Sequence, residues 1–281
     1  MKQYVLGADV GGTNTKVGIA EIDKDIKILF SFNFQSQKLK SVTPAINFVL
    51  SLANAKHMDV KKACIAGAGP VKAGKLKLIH LNKTLDKKNI LKKTSLKKLK
   101  LLNDFEAIGY GLEKNNCLII GAGTGLGMAV VKNNKVIATE KGHTLFEPED
   151  ELDKRLATYI KKIRKIRKLE YEDLLSGEGL ENIYRFIKKK SKSAEYISKH
   201  KNREKAAWQT FELFAEYYAR AINDFAKQAK VHDVYIAGGI IRKNKDVLKK
   251  EIKRHLDNIS VFIVNEENMG LLGACKVASR L

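Results

Sequence analysis

Several short segments place polar side chains beside glycines, in patterns that can bind anions and move protons. The first, Asp9-Val10-Gly11-Gly12-Thr13-Asn14, lies between two strand-like segments. Adjacent glycines allow a turn with positive φ, and their backbone N–H groups can approach a bulky anion such as phosphate. The Thr13 hydroxyl adds a donor, whereas the Asp9 carboxylate repels phosphate unless a divalent cation lies between them. The segment therefore predicts a phosphate-binding loop, with a simple tight hairpin turn as the alternative.

Two further glycine-rich turns have the same potential. Gly123-Thr124-Gly125 lies at the centre of the run Gly121–Gly127, and a strand-like segment follows it, unlike the dinucleotide fingerprint, which opens a helix. Gly238-Gly239 ends a strand-like segment and opens a helical one. Glycines there let an adenine or ribose approach the backbone, although strand-to-helix turns also use glycine routinely.

A carboxylate that can act as a base follows the apolar segment Leu99–Leu102, in the pair Asn103-Asp104. A carboxylate held at a strand end can accept the proton of a substrate hydroxyl, which is the role of the base in phosphoryl transfer. The alternative is an N-cap for a helix that begins near Phe105, because Asn and Asp are favoured there. The two roles are compatible.

Other polar side chains have the reach to bind a polyol. In Glu140-Lys141-Gly142-His143 a carboxylate and an imidazole lie three residues apart around a glycine, although a lone histidine is often structural. Glu172 precedes another glycine-punctuated turn. Taken singly, its pattern predicts an ordinary surface side chain.

The elements that must position these residues follow from periodicity. Segments of β-branched and aromatic residues predict strands at Tyr4–Asp9, Lys16–Ile22 and Ile26–Phe34. A helix is expected over Ala45–Ala55, with Thr43 as its N-cap and Pro44 in its first turn. Apolar residues at helical spacing predict a long helix over Glu204–Lys230.

An internal repeat links the two halves of the chain. The segments around Gly11 and around Gly123 each predict a strand, a glycine turn and a second strand. A repeated hairpin of this kind predicts two similar lobes that face a shared ligand.

Composition limits the class of protein. The chain has 281 residues, enough for two domains, and its formal net charge of +22 predicts a surface that attracts anions. The 3 cysteines are far apart in sequence, which argues against a disulfide framework or a cysteine zinc site. No apolar run reaches the length of a membrane span, and the strand-like start leaves no room for a signal peptide. We therefore expect a cytoplasmic protein with no membrane partner.

Taken together and in order, these motifs resemble those of the bacterial-type glucokinases, in the superfamily of sugar kinases, Hsp70 and actin. The resemblance covers nearly the whole chain. Its segments are ADVGGTNTKVGIA (8–20), LLNDFEAIGYG (101–111), GAGTGLGMA (121–129), EKGH (140–143), EDLLSGEGLENIYR (172–185), VYIAGGIIRK (234–243) and MGLLGA (269–274).

The resemblance implies an α/β fold with two lobes of the actin-like ATPase type, related to ribonuclease H, and a substrate cleft between the lobes. Residues 1–107 with 268–281 would form the smaller lobe, and residues 108–267 the larger, helix-rich lobe. In this family the last helix returns to the N-terminal lobe, which makes that lobe discontinuous.

The resemblance also implies an activity, the ATP-dependent phosphorylation of glucose to glucose 6-phosphate. Asp104 would be the base on the 6-hydroxyl, and the ring hydroxyls would be bound by Asn103, Glu140, His143 and Glu172. The ATP phosphates would be held by Asp9, Gly11, Gly12, Thr13, Asn14, Gly123, Thr124 and Gly125, with Gly238 and Gly239 bordering the adenosine. Asp9 would face Mg²⁺ through water. No cysteine lies near the Glu-x-Gly-His segment, so no structural zinc is expected.

Three alternatives remain open at this stage. The first is a kinase for another hexose or amino sugar, such as mannose or N-acetylglucosamine, because the ring-binding residues do not separate these substrates. The second is a non-catalytic sugar sensor. The third is a basic nucleic-acid-binding regulator, which the lysine clusters at 87–100, 161–168 and 188–192 would support.

Two sequence features bear on these alternatives. The lysines alternate with Ile and Leu at helical spacing, which is typical of solvated helix faces, so no specific nucleic acid is expected. A homodimer is left open. Lys141 stands where close glucokinases often have a small residue, and a cation there is expected to influence sugar preference.

Overall fold

The computed structural model describes residues 2–281, with the exception of the side chain of His80, and shows a mixed α/β chain. The strands are β1 (Gln3–Val10), β2 (Asn14–Ile22), β3 (Ile26–Gln35), β4 (Val60–Gly67), β5 (Val71–Lys72), β6 (Lys75–Leu78), β7 (Lys83–Asp86), β8 (Lys98–Asn103), β9 (Cys117–Ala122), β10 (Leu126–Lys132), β11 (Lys135–Thr139), β12 (Asp233–Ala237) and β13 (Ser260–Ile263).

The helices are concentrated in the second half of the chain. They are α1 (Thr43–Ala55), α2 (Lys87–Lys92), α3 (Asp104–Leu112), α4 (Glu151–Arg164), α5 (Tyr171–Leu174), α6 (Gly177–Lys188), α7 (Ala194–His200), α8 (Lys205–Ala229), α9 (Gly239–Lys243), α10 (Lys245–Arg254) and α11 (Met269–Ser279). No helix within residues 2–281 combines the length and the apolar character that crossing a membrane requires.

The chain divides into two compact units. The first comprises Met1–Lys114, Asn134–Ala138 and Glu266–Leu281, and the second comprises Asn115–Asn133 and Thr139–Asn265. The C-terminal helix α11 therefore belongs to the first unit, which is discontinuous in sequence.

The first unit is built on a sheet with the strand order β3-β2-β1-β4-β8. β2 is antiparallel to β1 and β3, whereas β1, β4 and β8 are parallel. Val10, Gly67 and Asn103 lie in register across the three parallel strands, so these strands end at one edge of the sheet. That edge carries the first glycine loop and the Asn103-Asp104 pair.

Helices cover both faces of this sheet. Ile46 and Val49 of α1 pack with residues such as Leu6 and Val17 on one face, because their apolar side chains recur at helical spacing. On the other face, α11 and α3 pack closely at Gly273, where a Cβ atom would lie 1.7 Å from the Ala107 carbonyl oxygen. A glycine is required for this contact.

The second unit repeats the arrangement, with a sheet of strand order β11-β10-β9-β12-β13. β9 and β10 are antiparallel, and β12 is parallel to both β9 and β13. The order matches that of the first sheet, strand for strand, which confirms the predicted internal repeat. The core of this unit surrounds α8, whose Phe211, Phe214, Tyr217 and Tyr218 are fully buried.

The predicted strands and the long helix are confirmed, but one helix boundary was wrong. Thr43 was expected to cap α1, whereas α1 begins at Thr43 and its N-cap residue is Val42, which makes no side-chain capping hydrogen bond. Val42 is buried in the core and has helical dihedral angles, and its carbonyl oxygen accepts the Ile46 N–H at 3.1 Å. Packing of Val42 therefore moves the start of the helix by one residue.

Candidate active site

The first glycine loop is held in place by Ser36, which directly follows β3, and by its own turn. The Gly11 N–H donates to the Asn14 carbonyl oxygen at 2.9 Å, and the Ser36 N–H donates to the Thr13 carbonyl oxygen at 2.9 Å. The Ser36 hydroxyl also donates to the Gly11 carbonyl oxygen at 2.7 Å. Among residues 2–281, the N–H groups of Gly12 and Thr13 have no acceptor, so they are available to an anion.

Asp9 lies half-buried at the end of β1, in register with Lys16 of β2. Burial raises the pKa of the Asp9 carboxyl to about 6, and the Lys16 ammonium opposes this rise. The carboxylate lies against Gly270, where a Cβ atom would be 2.6 Å from Asp9 Oδ2. A carboxylate that burial destabilises gains from a cation beside it, and Mg²⁺ is commonly bound by one carboxylate with waters and phosphates. Asp9 therefore fits a magnesium ligand.

Asn103 and Asp104 take different positions at the start of α3. Asn103 is the N-cap: its Oδ1 accepts the Phe105 N–H at 2.8 Å, and its own N–H donates to Glu106 Oε2 at 3.1 Å. Its Nδ2 donates to the Gly69 carbonyl oxygen at 3.3 Å. Asp104 is half-buried in the first helical turn, where the positive end of the helix dipole favours a negative charge. Capping thus falls to Asn103.

The second glycine loop closes in a similar way. The Gly123 N–H donates to the Gly125 carbonyl oxygen at 2.8 Å, and the Gly123 carbonyl oxygen accepts the Gly177 N–H at 2.9 Å. Gly238 has a φ of 98°, and a Cβ there would lie 2.4 Å from the Ala122 carbonyl oxygen. A glycine is therefore required at this position by both conformation and space.

Gly123 and Gly239 instead face open space. A Cβ atom at either position would meet no described atom within 4 Å, and both residues line a cavity of about 530 Å³. The full lining is Gly123, Leu180, Ala194, Glu195, Ser198, Lys199, Lys201, Gly239, Ile240, Lys243 and Asn244. A lining that combines apolar side chains with three lysines suits a nucleoside that carries phosphates.

The Glu140–His143 segment and Glu172 meet at the start of β10. A Cβ at Gly142 would lie 2.2 Å from the Leu126 carbonyl oxygen, so only glycine fits there. Glu172 Oε2 accepts the Leu126 N–H at 2.8 Å. Glu172, which its own pattern would assign to the surface, is half-buried and hydrogen-bonded.

His143 lies among carboxylates. Its Nδ1 is 2.8 Å from Glu170 Oε2, and its Nε2 is 3.9 Å from Glu140 Oε2. The hydrogen bond with Glu170 raises the pKa of His143, burial opposes the rise, and the charges of Glu172 and Glu140 add to it. The side chains of His143 and Glu140 are 44% and 61% exposed, so both can reach a ligand.

The Lys141 side chain turns to α8. Its ammonium bonds the Gln228 side-chain oxygen and lies 5.8 Å from the centre of the Phe225 ring. The positive charge of Lys141, which is adjacent to Glu140 in sequence, therefore interacts with α8.

Within each unit, the structure thus gathers some of the predicted residues. In the first unit, the Asp9–Asn14 loop and Asn103-Asp104 share one edge of the sheet. In the second, Glu140, His143 and Glu172 lie around the start of β10, as judged by the contacts of Leu126 and by the charges acting on His143.

Three residues that contact these sites were not predicted from the sequence: Lys16, Ser36 and Glu170. The register of the β1–β2 hairpin would have placed Lys16 opposite Asp9. Ser36 and Glu170 contact loops that are 20 or more residues away, and no local pattern marks such contacts.

The repeated sheet order, with glycine loops where β1 and β9 end, defines an α/β protein with the two-lobed, actin-like fold of sugar kinases. The glucokinase family model matches residues 6–281. A Nostoc punctiforme glucokinase is 28% identical, over 99% of this chain and 99% of the relative.

Solved structures agree on the fold. A Balamuthia mandrillaris glucokinase in complex with glucose has a TM-score of 0.85 at 22% identity, covering 99% of this chain and 94% of that one. A Streptomyces griseus ROK family glucokinase in complex with glucose and AMPPNP has a TM-score of 0.75 at 19% identity, covering 99% and 100%. The chain belongs to the glucokinase family, and it is an enzyme of ATP-dependent glucose phosphorylation.

Proposed function

We propose that this enzyme transfers the γ-phosphoryl group of ATP to the 6-hydroxyl of glucose, with Asp104 as the base. The position of Asp104 carries this proposal, because its carboxylate lies in the first turn of α3 beside a neighbour that already supplies the cap. Asp104 would take the hydroxyl proton as the sugar oxygen bonds to the γ-phosphorus. The bond from that phosphorus to the β–γ bridging oxygen breaks, and ADP leaves.

For ATP, we assign the phosphates to the loops Asp9–Asn14 and Gly123–Gly125, and the adenosine to the cavity beside Gly238-Gly239. The available N–H groups of the first loop and the open space at Gly123 and Gly239 support this assignment. The AMPPNP in the Streptomyces griseus relative supports a nucleotide donor. Asp9 would hold Mg²⁺ through water, and the bound ion would neutralise charge on the phosphates.

For the sugar, we assign the ring hydroxyls to Asn103, Glu140, His143 and Glu172. The glucose in the Balamuthia mandrillaris relative supports a hexose. Fixed carboxylates and an imidazole select for hydroxyls, because a substrate that lacks one leaves polar groups of the protein unpaired.

We also propose the broader features expected from the sequence. The domains are residues 1–107 with 268–281, and residues 108–267; the contact boundary between Lys114 and Asn115 supports a division in this region. The need for ATP supports a cytoplasmic location. The absence of a specific nucleic-acid partner and of structural zinc remain predictions, and a homodimer remains open.

The proposal is tested by Asp104→Asn, which keeps the size of the side chain and removes the base. We expect kcat with glucose and Mg-ATP to fall by about a hundredfold to ten-thousandfold, the range that a general base contributes. ATP binding, measured by calorimetry, should change by less than about threefold, because Asp104 is assigned no nucleotide contact.

The matched control is Asp59→Asn, which changes an exposed surface carboxylate in the same unit. It should leave kcat and both KM values unchanged. An Asp104→Asn enzyme with the kcat of the wild type would remove Asp104 as the base.

A further inference from the structure

One carboxylate beside His143 has no role in the chemistry proposed above. Glu170 Oε2 lies 2.8 Å from His143 Nδ1, the shortest contact of the ring with an acidic group. The Glu170 side chain is 35% exposed, so the pair is shielded from solvent in part only. Carboxylates that bond one nitrogen of a histidine fix the tautomer and the orientation of its ring.

Backbone bonds of its neighbours hold Glu170 here, and Glu170 also begins α5 as the N-cap residue of a capping box with Asp173, whose Oδ2 accepts the Glu170 N–H at 2.8 Å. The Phe146 N–H donates to the Leu169 carbonyl oxygen at 2.8 Å, and the Tyr171 N–H donates to the Thr144 carbonyl oxygen at 3.0 Å. These bonds form a β-bridge that joins the segment after His143 to the segment before Glu172. Glu170→Gln, which keeps a side-chain acceptor at the start of α5, should therefore leave this part of the backbone intact.

We propose that Glu170 is a positioning residue that holds His143 by Nδ1 and so presents Nε2 to a sugar hydroxyl. The inference rests on the proposed role of His143 in binding the sugar. Because the Nδ1–H is committed to Glu170, the ring cannot rotate to exchange its two nitrogens without losing this bond. The contact thus removes one of the two orientations that an exposed histidine would sample.

The charges around the ring decide what Nε2 can do. Glu170, Glu172 and Glu140 all favour the protonated imidazolium, and burial is the only opposing effect. In the imidazolium both nitrogens donate, Nδ1–H to Glu170 and Nε2–H to the sugar. The pKa of His143 is raised, so the donor at Nε2 persists to a higher pH than in a free histidine and is lost as the pH rises through this pKa.

Two variants separate the bond from the charge. Glu170→Ala removes both, and Glu170→Gln keeps an acceptor for Nδ1–H but removes the charge. We expect Glu170→Ala to raise the KM for glucose about tenfold, the cost of about one hydrogen bond, with a smaller change in kcat and an unchanged KM for ATP. In Glu170→Gln, the alkaline rise in the KM for glucose should begin at a lower pH than in wild type, because the charge that raises the pKa of His143 is removed.

A spectroscopic measurement tests the same idea without sugar. ¹⁵N chemical shifts of His143 in the full-length enzyme report which nitrogen is protonated. Wild type should show a protonated Nδ1 throughout the titration, whereas Glu170→Ala should show a lower pKa and the ordinary mixture of neutral tautomers. The matched control is Glu147→Gln, an exposed carboxylate of the same loop, which should behave as wild type.

His143→Ala separates this inference from the proposed function. If it raises the KM for glucose while both Glu170 variants leave that KM and the ¹⁵N shifts unchanged, the positioning role of Glu170 is overturned. If His143→Ala leaves the KM unchanged, the sugar-binding role of His143 fails, and the inference fails with it. Should Glu170→Ala fold poorly by circular dichroism, Glu170→Gln and the wild-type titration decide the question.

Discussion

Gly238 and Gly239 are neighbours in sequence, but a side chain would meet opposite environments at the two positions. At Gly238, a positive φ of 98° and a carbonyl oxygen 2.4 Å from the Cβ position exclude a side chain. At Gly239, the first residue of α9, nothing described lies within 4 Å of the Cβ position, and the cavity opens in front of it. Gly238 therefore serves the fold, and Gly239 leaves room for a ligand.

This difference predicts separate effects on stability and on nucleotide binding. Gly239→Leu should fill part of the cavity and raise the KM for ATP by about tenfold or more, with thermal stability close to that of wild type. Gly238→Ala should lower the free energy of unfolding by about 2 kcal/mol, because its backbone conformation is strained and its methyl group clashes. Steady-state kinetics and denaturant unfolding measure both. A Gly239→Leu enzyme with the ATP kinetics of wild type would contradict the assignment of the adenosine to this cavity.

The types of the site residues could be predicted from sequence better than their contacts. Asp9 and Asn103-Asp104 follow apolar strands, so their places at strand ends could be predicted. The sequence left the capping residue open, and the hydrogen bond from the Phe105 N–H assigns it to Asn103. Glu170 could not be predicted, because its link to His143 depends on a bridge between two loops.

At the scale of elements, the end of β3 supports the first glycine loop. Ser36 is buried and bonds both the Gly11 carbonyl oxygen and the Thr15 hydroxyl, the latter at 2.9 Å. The loop is thus fixed by a residue that directly follows β3, a strand that carries none of the predicted site residues. Such support keeps N–H groups oriented before a ligand arrives, which is how a preformed site lowers the cost of binding.

Ser36→Ala should make this loop less rigid, although Ser36 itself is assigned no contact with a ligand. We expect the KM for ATP to rise about threefold to tenfold, and the free energy of unfolding to fall by about 1–2 kcal/mol because buried Thr15 loses a partner. The KM for glucose should stay unchanged. The matched control is Ser51→Ala in α1, whose exposed hydroxyl bonds only the Phe48 carbonyl oxygen of its own helix. Equal changes in the two KM values would argue against a specific role in the phosphate loop.

Secondary structure could be predicted to within a few residues where the pattern was strong. The long helix was expected over Glu204–Lys230 and spans Lys205–Ala229, because its apolar stripe is continuous. Thr43 was a misleading cap signal. Its side chain suits an N-cap, but burial of Val42 extends the helix backwards, and local sequence carries no information on that burial.

At the scale of the whole molecule, the repeat around Gly11 and Gly123 correctly predicted two similar sheets. The pairing of β4 beside β1, and of β12 between β9 and β13, joins strands far apart in sequence. Periodicity does not specify such pairing, and the family resemblance implied the type of fold without a strand order, so the order of the strands was not predicted from the sequence. The hairpins could therefore be predicted from the local pattern, whereas the topology of the complete sheets could not.

The surface charge is the remaining property of the whole chain. The net charge is +22, and most lysines in the clusters at 87–100, 161–168 and 188–192 are exposed. In α4, Ile160 is buried while Lys162 points to solvent, as expected for a solvated helix face. Exposed charges of this kind attract polyanions by releasing counterions, without recognising a sequence.

We therefore expect this enzyme to retard duplex DNA at low salt and to release it steeply as salt increases. With six or more phosphate contacts, affinity should fall about a thousandfold between about 50 and about 200 mM salt. Two duplexes of unrelated sequence should bind equally, and fluorescence anisotropy over a salt series measures both effects. A preference for one duplex, or binding that persists at about 500 mM salt, would show a built nucleic-acid site and contradict the assignment of these lysines to solvation.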